Sequence, residues 1–365
     1  MKVIVSVFNN LLTDQRVEKV CKTLSEDGAY DIELIGNNWG GLPEMARSYP
    51  VSRLILKSKI LRYAYVEFQW KLYRKLLESA DSNTILLSND LDTLLPNYLV
   101  SRKLKIPLVF DSHEIFTEMP SLNGRFTQKI WRSLESFIVP KIQYMMTASE
   151  SYADWFRKTY EIPRPVVVQN FPLKMGNTQD YNQLSSPKII LYQGVINPYR
   201  GLDKLIPTMA DINAELWIAG DGPRKMEYQE LTKSLKLENK IKFLGKLVPS
   251  ELREITQTAD VGLSIEENHG LSYYFSMPNK ISDYVQARIP VVVSDFPEMR
   301  KVVDEFQVGE KIANYSELGE KINTVLQNGK QFYEDSLNAA AEKYCWEKEE
   351  PKITALFKKV KAENF

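Results

Sequence analysis

Two cysteines, two histidines and no surplus of either charge are the first things to weigh in this chain of 365 residues. Cys21 and Cys345 stand at opposite ends. They are too few for a disulfide framework or a cysteine zinc site, and they suit a reducing compartment. Lys plus Arg and Asp plus Glu both number 47. No global field therefore draws in nucleic acid, which excludes a duplex-binding role at whole-chain level. No run reaches about 18 uninterrupted apolar residues, the length of a membrane-spanning helix. The opening MKVIVSVFNN has a short apolar run but no longer apolar core and no small-residue cleavage site. It reads as a first buried strand rather than an export signal, and a cytoplasmic location is the resulting expectation. Three signatures are missing as well. No G-x-G-x-x-G follows the first strand, which weighs against a dinucleotide there, and neither G-x-x-x-x-G-K-[ST] nor H-E-x-x-H occurs.

What is present is the composition of a folded protein, 44% hydrophobic and 26% charged, at a length that implies two domains. Apolar, β-branched runs alternate with helix-period segments throughout. Strands are predicted over 3–8, 32–36, 84–88, 108–111, 144–148 and 166–169, with helices over 14–26, 65–79, 93–104, 128–142 and 152–159. A second series of strands follows over 189–193, 214–219, 241–244, 261–265 and 291–294, again with helices between. Runs apolar on nearly every residue imply sheets covered on both faces, and the alternation implies parallel βαβ units. The segment 174–187 (KMGNTQDYNQLSSP) is polar and aperiodic and reads as a linker. It separates a domain over 1–173 from one over 188–336. A helical tail over 337–365 either ends in solvent or runs back to brace the first domain. The predicted fold class is α/β, with two Rossmann-like, doubly wound parallel-sheet domains facing a central cleft and ligands beyond the carboxyl ends of the strands.

Several turns at those strand ends could carry chemistry. Gly194 ends a strand, and Arg200-Gly201 opens the next helix. Amides at a helix start attract anions, and a forked guanidinium suits phosphate. Gly220-Asp221-Gly222-Pro223 repeats the strand–turn–helix pattern. Next, 266–280 is a long loop with three consecutive aromatics that enters a helix near Pro278 and Asn279, with Lys280 in its first turn. A cation there opposes the helix dipole unless an anion accompanies it. Asp283, three residues on, shares Lys280's face and is placed either to accept from two ribose hydroxyls or to pair with Lys280. In the first half, Asp111-Ser112-His113-Glu114 follows a strand, and His113 reads as a catalyst or a structural hydrogen bonder. Asp90 and Asp92 form a D-x-D that could hold a metal, although Asp92 could equally cap the helix after it.

In their order and spacing these residues resemble the GT-B-fold glycosyltransferases of family 4 over nearly the whole chain. The resemblance rests on Asp14-Gln15-Arg16-Val17, Asp90-Leu91-Asp92-Thr93, Asp111-Ser112-His113-Glu114, the Gly194 to Gly201 turn, Gly220-Asp221-Gly222-Pro223 and Phe243-Leu244-Gly245. Pro278-Asn279-Lys280-Ile281-Ser282-Asp283-Tyr284 and Pro290-Val291-Val292-Val293-Ser294-Asp295 complete it. It implies transfer of a sugar from a nucleotide-diphosphate sugar to a hydroxyl acceptor, with retained configuration and without a metal or other cofactor. Under it, Arg200, Lys280 and the amides near Pro278 and Asn279 would neutralise the diphosphate. Asp283 would hold the ribose, Gly194, Gly220, Gly245, Lys246 and Leu247 would line the donor, and His113 would stand near the reacting carbon. Asn9, Asn10, Asp14, Arg16 and Glu114 would form the acceptor side. The sequence departs from the family at Phe275, where the first of two glutamates usually stands, and Glu266 and Glu267 are the nearby acids that could substitute. A sugar or lipid-linked acceptor in envelope polysaccharide or glycoconjugate assembly is implied. The rival readings are a nucleotide-sugar epimerase on the same fold and a non-catalytic binding protein. Segment 53–75 interleaves basic with aromatic and aliphatic residues, as a peripheral membrane contact would, and a helix packed on its own domain has the same pattern.

Overall fold

The computed structural model of the protein describes residues 1–9, 11, 14–38, 46–176 and 187–365. Asn10 and most of the predicted linker lie outside them. Contacts divide the chain into two compact units. One is Met1–Asn170 with Glu349–Phe365, and the other is Phe171–Lys348.

The first unit alternates β1 (Lys2–Ser6), α1 (Gln15–Glu26), β2 (Asp31–Asn37), β3 (Val51–Leu54), α2 (Leu61–Ser79), β4 (Thr84–Asn89) and α3 (Leu91–Leu104). It continues through β5 (Leu108–Ser112), α4 (Phe126–Ile138), β6 (Tyr144–Thr147), α5 (Glu150–Tyr160) and the two-residue β7 (Val166–Val167). All pairs are parallel, in the order β3-β2-β1-β4-β5-β6-β7. Because parallel crossovers are right-handed, the reversal of direction between β1 and β4 puts α1 on one face and α2 to α5 on the other. The strands are apolar on consecutive residues because both faces are covered. On the α2 side, Ile4, Leu86 and Phe110 of the sheet meet Phe68, Leu72 and Leu76 of α2, all buried. The spacing of those three residues is one helical stripe, and each is worth about 1.5–3 kcal/mol on burial.

The second unit runs β8 (Ile189–Gln193), α6 (Leu202–Thr208), β9 (Glu215–Ala219), α7 (Lys225–Ser234), β10 (Ile241–Gly245), α8 (Pro249–Thr258) and β11 (Val261–Ser264). Then come α9 (Leu271–Tyr274), α10 (Asn279–Gln286), β12 (Val291–Ser294), α11 (Pro297–Phe306), β13 (Gly309–Ile312), α12 (Leu318–Phe332) and α13 (Glu334–Lys343). Its sheet is again wholly parallel, in the order β10-β9-β8-β11-β12-β13. The order reverses between β8 and β11, which is where ligands bind in such sheets.

Two strands escape the sequence reading. β3 runs into the start of the basic, aromatic segment, and β13 reads Gly-Glu-Lys-Ile. Both are edge strands, where one-sided burial relaxes the apolar requirement. The tail divides between the units. Trp346 is buried in the second, and α14 (Glu350–Asn364) packs on α1 of the first. Ile353, Leu356, Phe357 and Val360 form its buried stripe, and Phe357 meets the Tyr30 ring edge-on at 5.9 Å. Glu349 accepts from the Gln169 backbone N–H at 2.8 Å and fixes the start of that return.

Candidate functional site

In the second domain the glycine-ended strands β8, β9 and β10 finish side by side. Gly194 N–H donates to Ala219 O, and Gly220 N–H donates to Gly245 O at 2.8 Å. Gly220 is required by the chain itself, because a Cβ there would lie 1.9 Å from the Gly194 carbonyl oxygen. Gly201 adopts φ +75, and a Cβ on it would meet Ile265 O at 2.3 Å. That close approach brings the Arg200 loop against the end of β11. Tyr199 beside it sits at φ +65, a strained conformation for a non-glycine residue.

Arg200, Lys280 and Glu266 meet there. Glu266 follows β11 directly and is 1% exposed. Its Oε1 accepts from Lys280 Nζ at 2.9 Å and from Arg200 Nη1 at 3.1 Å, and its Oε2 accepts from Ser264 Oγ at 2.8 Å. Burial pushes the Glu266 carboxyl up, yet Lys280 and Arg200 outweigh that and hold it at about 2. Burial lowers the Lys280 pKa, with Arg200 adding to the fall and Glu266 opposing it. Two rings complete the cage. Lys280 Nζ lies 4.3 Å from the Tyr192 ring centre, and the Arg200 guanidinium lies 4.4 Å from that of Tyr273. The cation that looked unaccompanied at the start of α10 thus has a resident anion, and it is Glu266 rather than Asp283. Asp283 is held instead by Gln193, whose Nε2 donates to Oδ2 at 2.9 Å while its Oε1 accepts from Thr256 Oγ1. Two cations against one carboxylate leave one positive charge in surplus at the switch point.

Pro278 caps α10 and Asn279 is exposed beside it. After β10, Lys246 is exposed and Leu247 packs partly on the core. Phe275 ends the short α9 and tilts against Tyr274 at 5.2 Å. Glu267 donates its backbone N–H to Tyr199 O at 2.9 Å. Sequence reasoning missed Gln193, Ser264, Tyr192 and Tyr273. Gln193 did leave a signal, as the one polar residue closing an apolar strand (IILYQ).

The first domain gathers a different set at the ends of β4 and β5. His113 Nδ1 lies 3.1 Å from Asp90 Oδ2, while its Nε2 lies 3.2 Å from both Asp111 Oδ2 and Asn89 Oδ1. Burial lowers the His113 pKa, but the two carboxylates raise it well above the usual 6.5. Asp90 is at φ +58 and accepts from the His113 backbone N–H at 2.8 Å. Asp111 also takes a forked pair from buried Arg16, at 3.0 and 2.7 Å. Burial raises the Asp111 carboxyl, whereas Arg16 and His113 bring it down to about 2. Arg16 spends its remaining Nη on Val168 O at 2.5 Å, so the guanidinium is wholly internal. Asp14 caps α1 through Val17 N–H and binds Asn9 Nδ2. Glu114 is half-buried beyond β5. Asp92 does not cap α3. The cap position belongs to Asp90, and Asp92 lies buried in the first turn with Oδ1 unpartnered among the described residues. Burial, Asp90 and Glu114 push its carboxyl well up. Among the described residues no three His, Cys, Asp or Glu side chains are grouped to hold a metal.

A His113 bonded by carboxylates on both nitrogens is an imidazolium, not a base. Its contribution to stability is complete below about 6.5 and is lost only as pH rises through the raised folded value. Nitrogen chemical shifts of the labelled ring are expected to report the doubly protonated form at pH 7.5. A midpoint at or below 6.5 would discard this assignment.

Comparison with known proteins shows the family and the fold. The family described as "Glycosyl transferases group 1" matches residues 177–343, and "Glycosyltransferase Family 4" matches 14–171. The structure is similar to sucrose-phosphate synthase from Thermosynechococcus elongatus, with TM-score 0.82 and 13% identity over 100% of both chains. It is also similar to Anabaena HepE in complex with UDP, with TM-score 0.73 and 15% identity over 98% of this chain and 100% of that one. A curated relative is the phosphatidylinositol N-acetylglucosaminyltransferase GPI3 subunit of Saccharomyces cerevisiae, 26% identical over 108 residues. That match spans 28% of this chain and 24% of the relative.

Proposed function

We propose that this chain, which belongs to the family 4 glycosyltransferases of the GT-B fold, moves a sugar from a nucleotide-diphosphate sugar to a hydroxyl acceptor without a metal and with retained configuration. The carrying observation is the convergence of Arg200 and Lys280 on one buried carboxylate, which leaves a surplus positive charge at the β8/β11 switch point. As the glycosidic bond breaks, negative charge grows on the leaving β-phosphate oxygen. Fixed cations stabilise that state more than the bound donor, which is what lowers a barrier. Asp283, oriented by Gln193, is the acceptor for the ribose hydroxyls. The HepE structures with UDP and UDP-glucose share the fold and support a nucleotide-sugar donor. Retention is what the family resemblance implies, and His113, held between Asp90 and Asp111, is not a free base for the acceptor hydroxyl. A role in polysaccharide or glycoconjugate assembly is supported by the family resemblance.

A panel of nucleoside diphosphates tests this. One base is expected to raise the melting temperature, since ligand at a hundredfold excess over Kd adds about 2.7 kcal/mol. Transfer from the matching sugar nucleotide should continue in EDTA. Loss of transfer in EDTA, or an epimerised donor formed without acceptor, would overturn the reading.

A further inference from the structure

The geometry points to a second anion site in this chain, a recess at the amino-terminal edge of the first domain's sheet that takes a small soluble molecule carrying two linked phosphates. The recess has a volume of about 420 Å³, within the range of small-molecule sites. Three cations line it, Arg102 and Lys105 from the end of α3 and Lys141 from the turn after α4, and no acid does. Its floor is built where β5 and β6 begin, from Ile106, Leu108, Ile142 and Tyr144, all buried. His113 follows the opposite end of β5, five residues and roughly 16 Å of strand away. The recess is therefore separate from the groups assigned to sugar transfer, and the inference does not rest on that reading.

Charge is what selects the ligand. Cations in the last turn of α3 suit the negative pole of that helix, which accounts for a basic end in general. It does not account for Lys141, which enters the same recess from another element and lies over the Phe137 ring at 3.1 Å. No carboxylate pairs with Arg102, Lys105 or Lys141 among the described residues. Glu363, beside the recess, is already engaged. It accepts from Tyr144 Oη at 2.7 Å and from Gln143 Nε2 at 3.1 Å, and it is not part of the lining. Three positive charges thus stand together with nothing to neutralise them.

The backbone holds one of those charges in place at a cost. Lys105 caps α3 at φ +56, a left-handed conformation in which helices usually carry glycine. Its N–H and that of Ile106 both donate to Ser101 O, and Ser101 Oγ donates to Ile106 O at 2.6 Å. The turn is closed on itself, so the lysine is fixed beside the recess rather than carried on a loose loop. Three cations match the charge of a diphosphate better than that of a single phosphate. The half-buried Tyr98 ring flanks the remaining volume and offers a face to the organic part of the ligand.

Isothermal titration of the full chain with sodium pyrophosphate tests it. Two equivalents are expected to bind, one at the Arg200–Lys280–Glu266 cluster and one here. Lys105→Gly with Lys141→Ala should weaken one of them about tenfold or more, because two charge-assisted contacts are lost together. Arg200→Ala should leave that same equivalent in place. Lys105→Gly alone is expected to raise the ligand-free melting temperature by about 1–3 °C, since the left-handed position favours glycine, so lost binding cannot be put down to unfolding. Sulfate at matched ionic strength should bind more weakly than pyrophosphate by about tenfold or more. A single equivalent in the parent that disappears in the lysine variant would support this site and count against the donor reading. The proposal fails if the lysine variant keeps every equivalent of the parent, if Arg200→Ala abolishes all pyrophosphate binding, or if sulfate binds as tightly. It fails equally if these cations capture phosphatidylglycerol vesicles or an acidic polypeptide and no soluble diphosphate.

Discussion

Arg200→Ala is expected to lower turnover by about 10²–10³-fold while the domain stays folded. In the native site Arg200 and Lys280 oppose one Glu266, and the surplus charge is what a diphosphate meets. Without Arg200, Lys280 and Glu266 form a closed neutral pair at 2.9 Å, and the surplus is gone. The loss should fall mainly on kcat. The ground-state donor keeps Lys280 and the ribose contact, whereas the charge that grows on the leaving oxygen has lost its fixed counterpart. Stability should hold because Glu266 retains Lys280 and Ser264 as partners. Arg200→Lys restores a point charge without the fork that both meets Glu266 and lies over the Tyr273 ring, so only part of the rate should return. Steady-state kinetics beside a melting curve reads both expectations. Turnover within about threefold of the parent would remove Arg200 from the mechanism.

How far such a site can be read without coordinates depends on which contacts are local. The strands of both sheets were legible because buried parallel strands must be apolar on both sides, as at Ile189–Gln193 and Val291–Ser294. β13 was not, because Glu310 and Lys311 sit on an edge strand with less need for burial. Arg200 and Lys280 were found from turn chemistry and from a cation misplaced on a helix dipole, both properties of a few adjacent residues. Their shared anion was not assigned. Glu266 is 66 residues from one partner and 14 from the other, and only the crossover between β8 and β11 brings the three together. The same limit applied to His113. Its position after β5 was visible, but its charge state is set by Asp90, 23 residues away on another strand end, and by Asp111, itself tied to Arg16 across 95 residues. Turns reveal where chemistry can sit. Pairings across the sheet decide what charge a side chain carries once it is there.

Glu266→Gln carries the second large effect, and its sign differs between stability and binding. The substitution keeps the shape of the side chain but leaves buried Lys280 and half-buried Arg200 without a counter-charge. Breaking one side of a buried ion cluster costs about 3–5 kcal/mol, which in a domain of this size lowers the melting point by on the order of 10 °C. The pH dependence follows from the depressed carboxyl. Its folded value of about 2 lies below the unfolded value near 4.3, so its contribution is complete above that unfolded value and fades as pH falls through 2. The gap between parent and variant should therefore be widest at neutral pH and close in strong acid. An external anion should fill the place of the lost one. Millimolar pyrophosphate is expected to raise the variant's melting temperature more than the parent's, because in the parent the diphosphate shares its cations with Glu266. A variant as stable as the parent, or one that gains no more from pyrophosphate, would show that Glu266 is not the resident counter-ion of the donor site. The larger gain would identify this carboxylate as the group that keeps two cations paired until a diphosphate arrives.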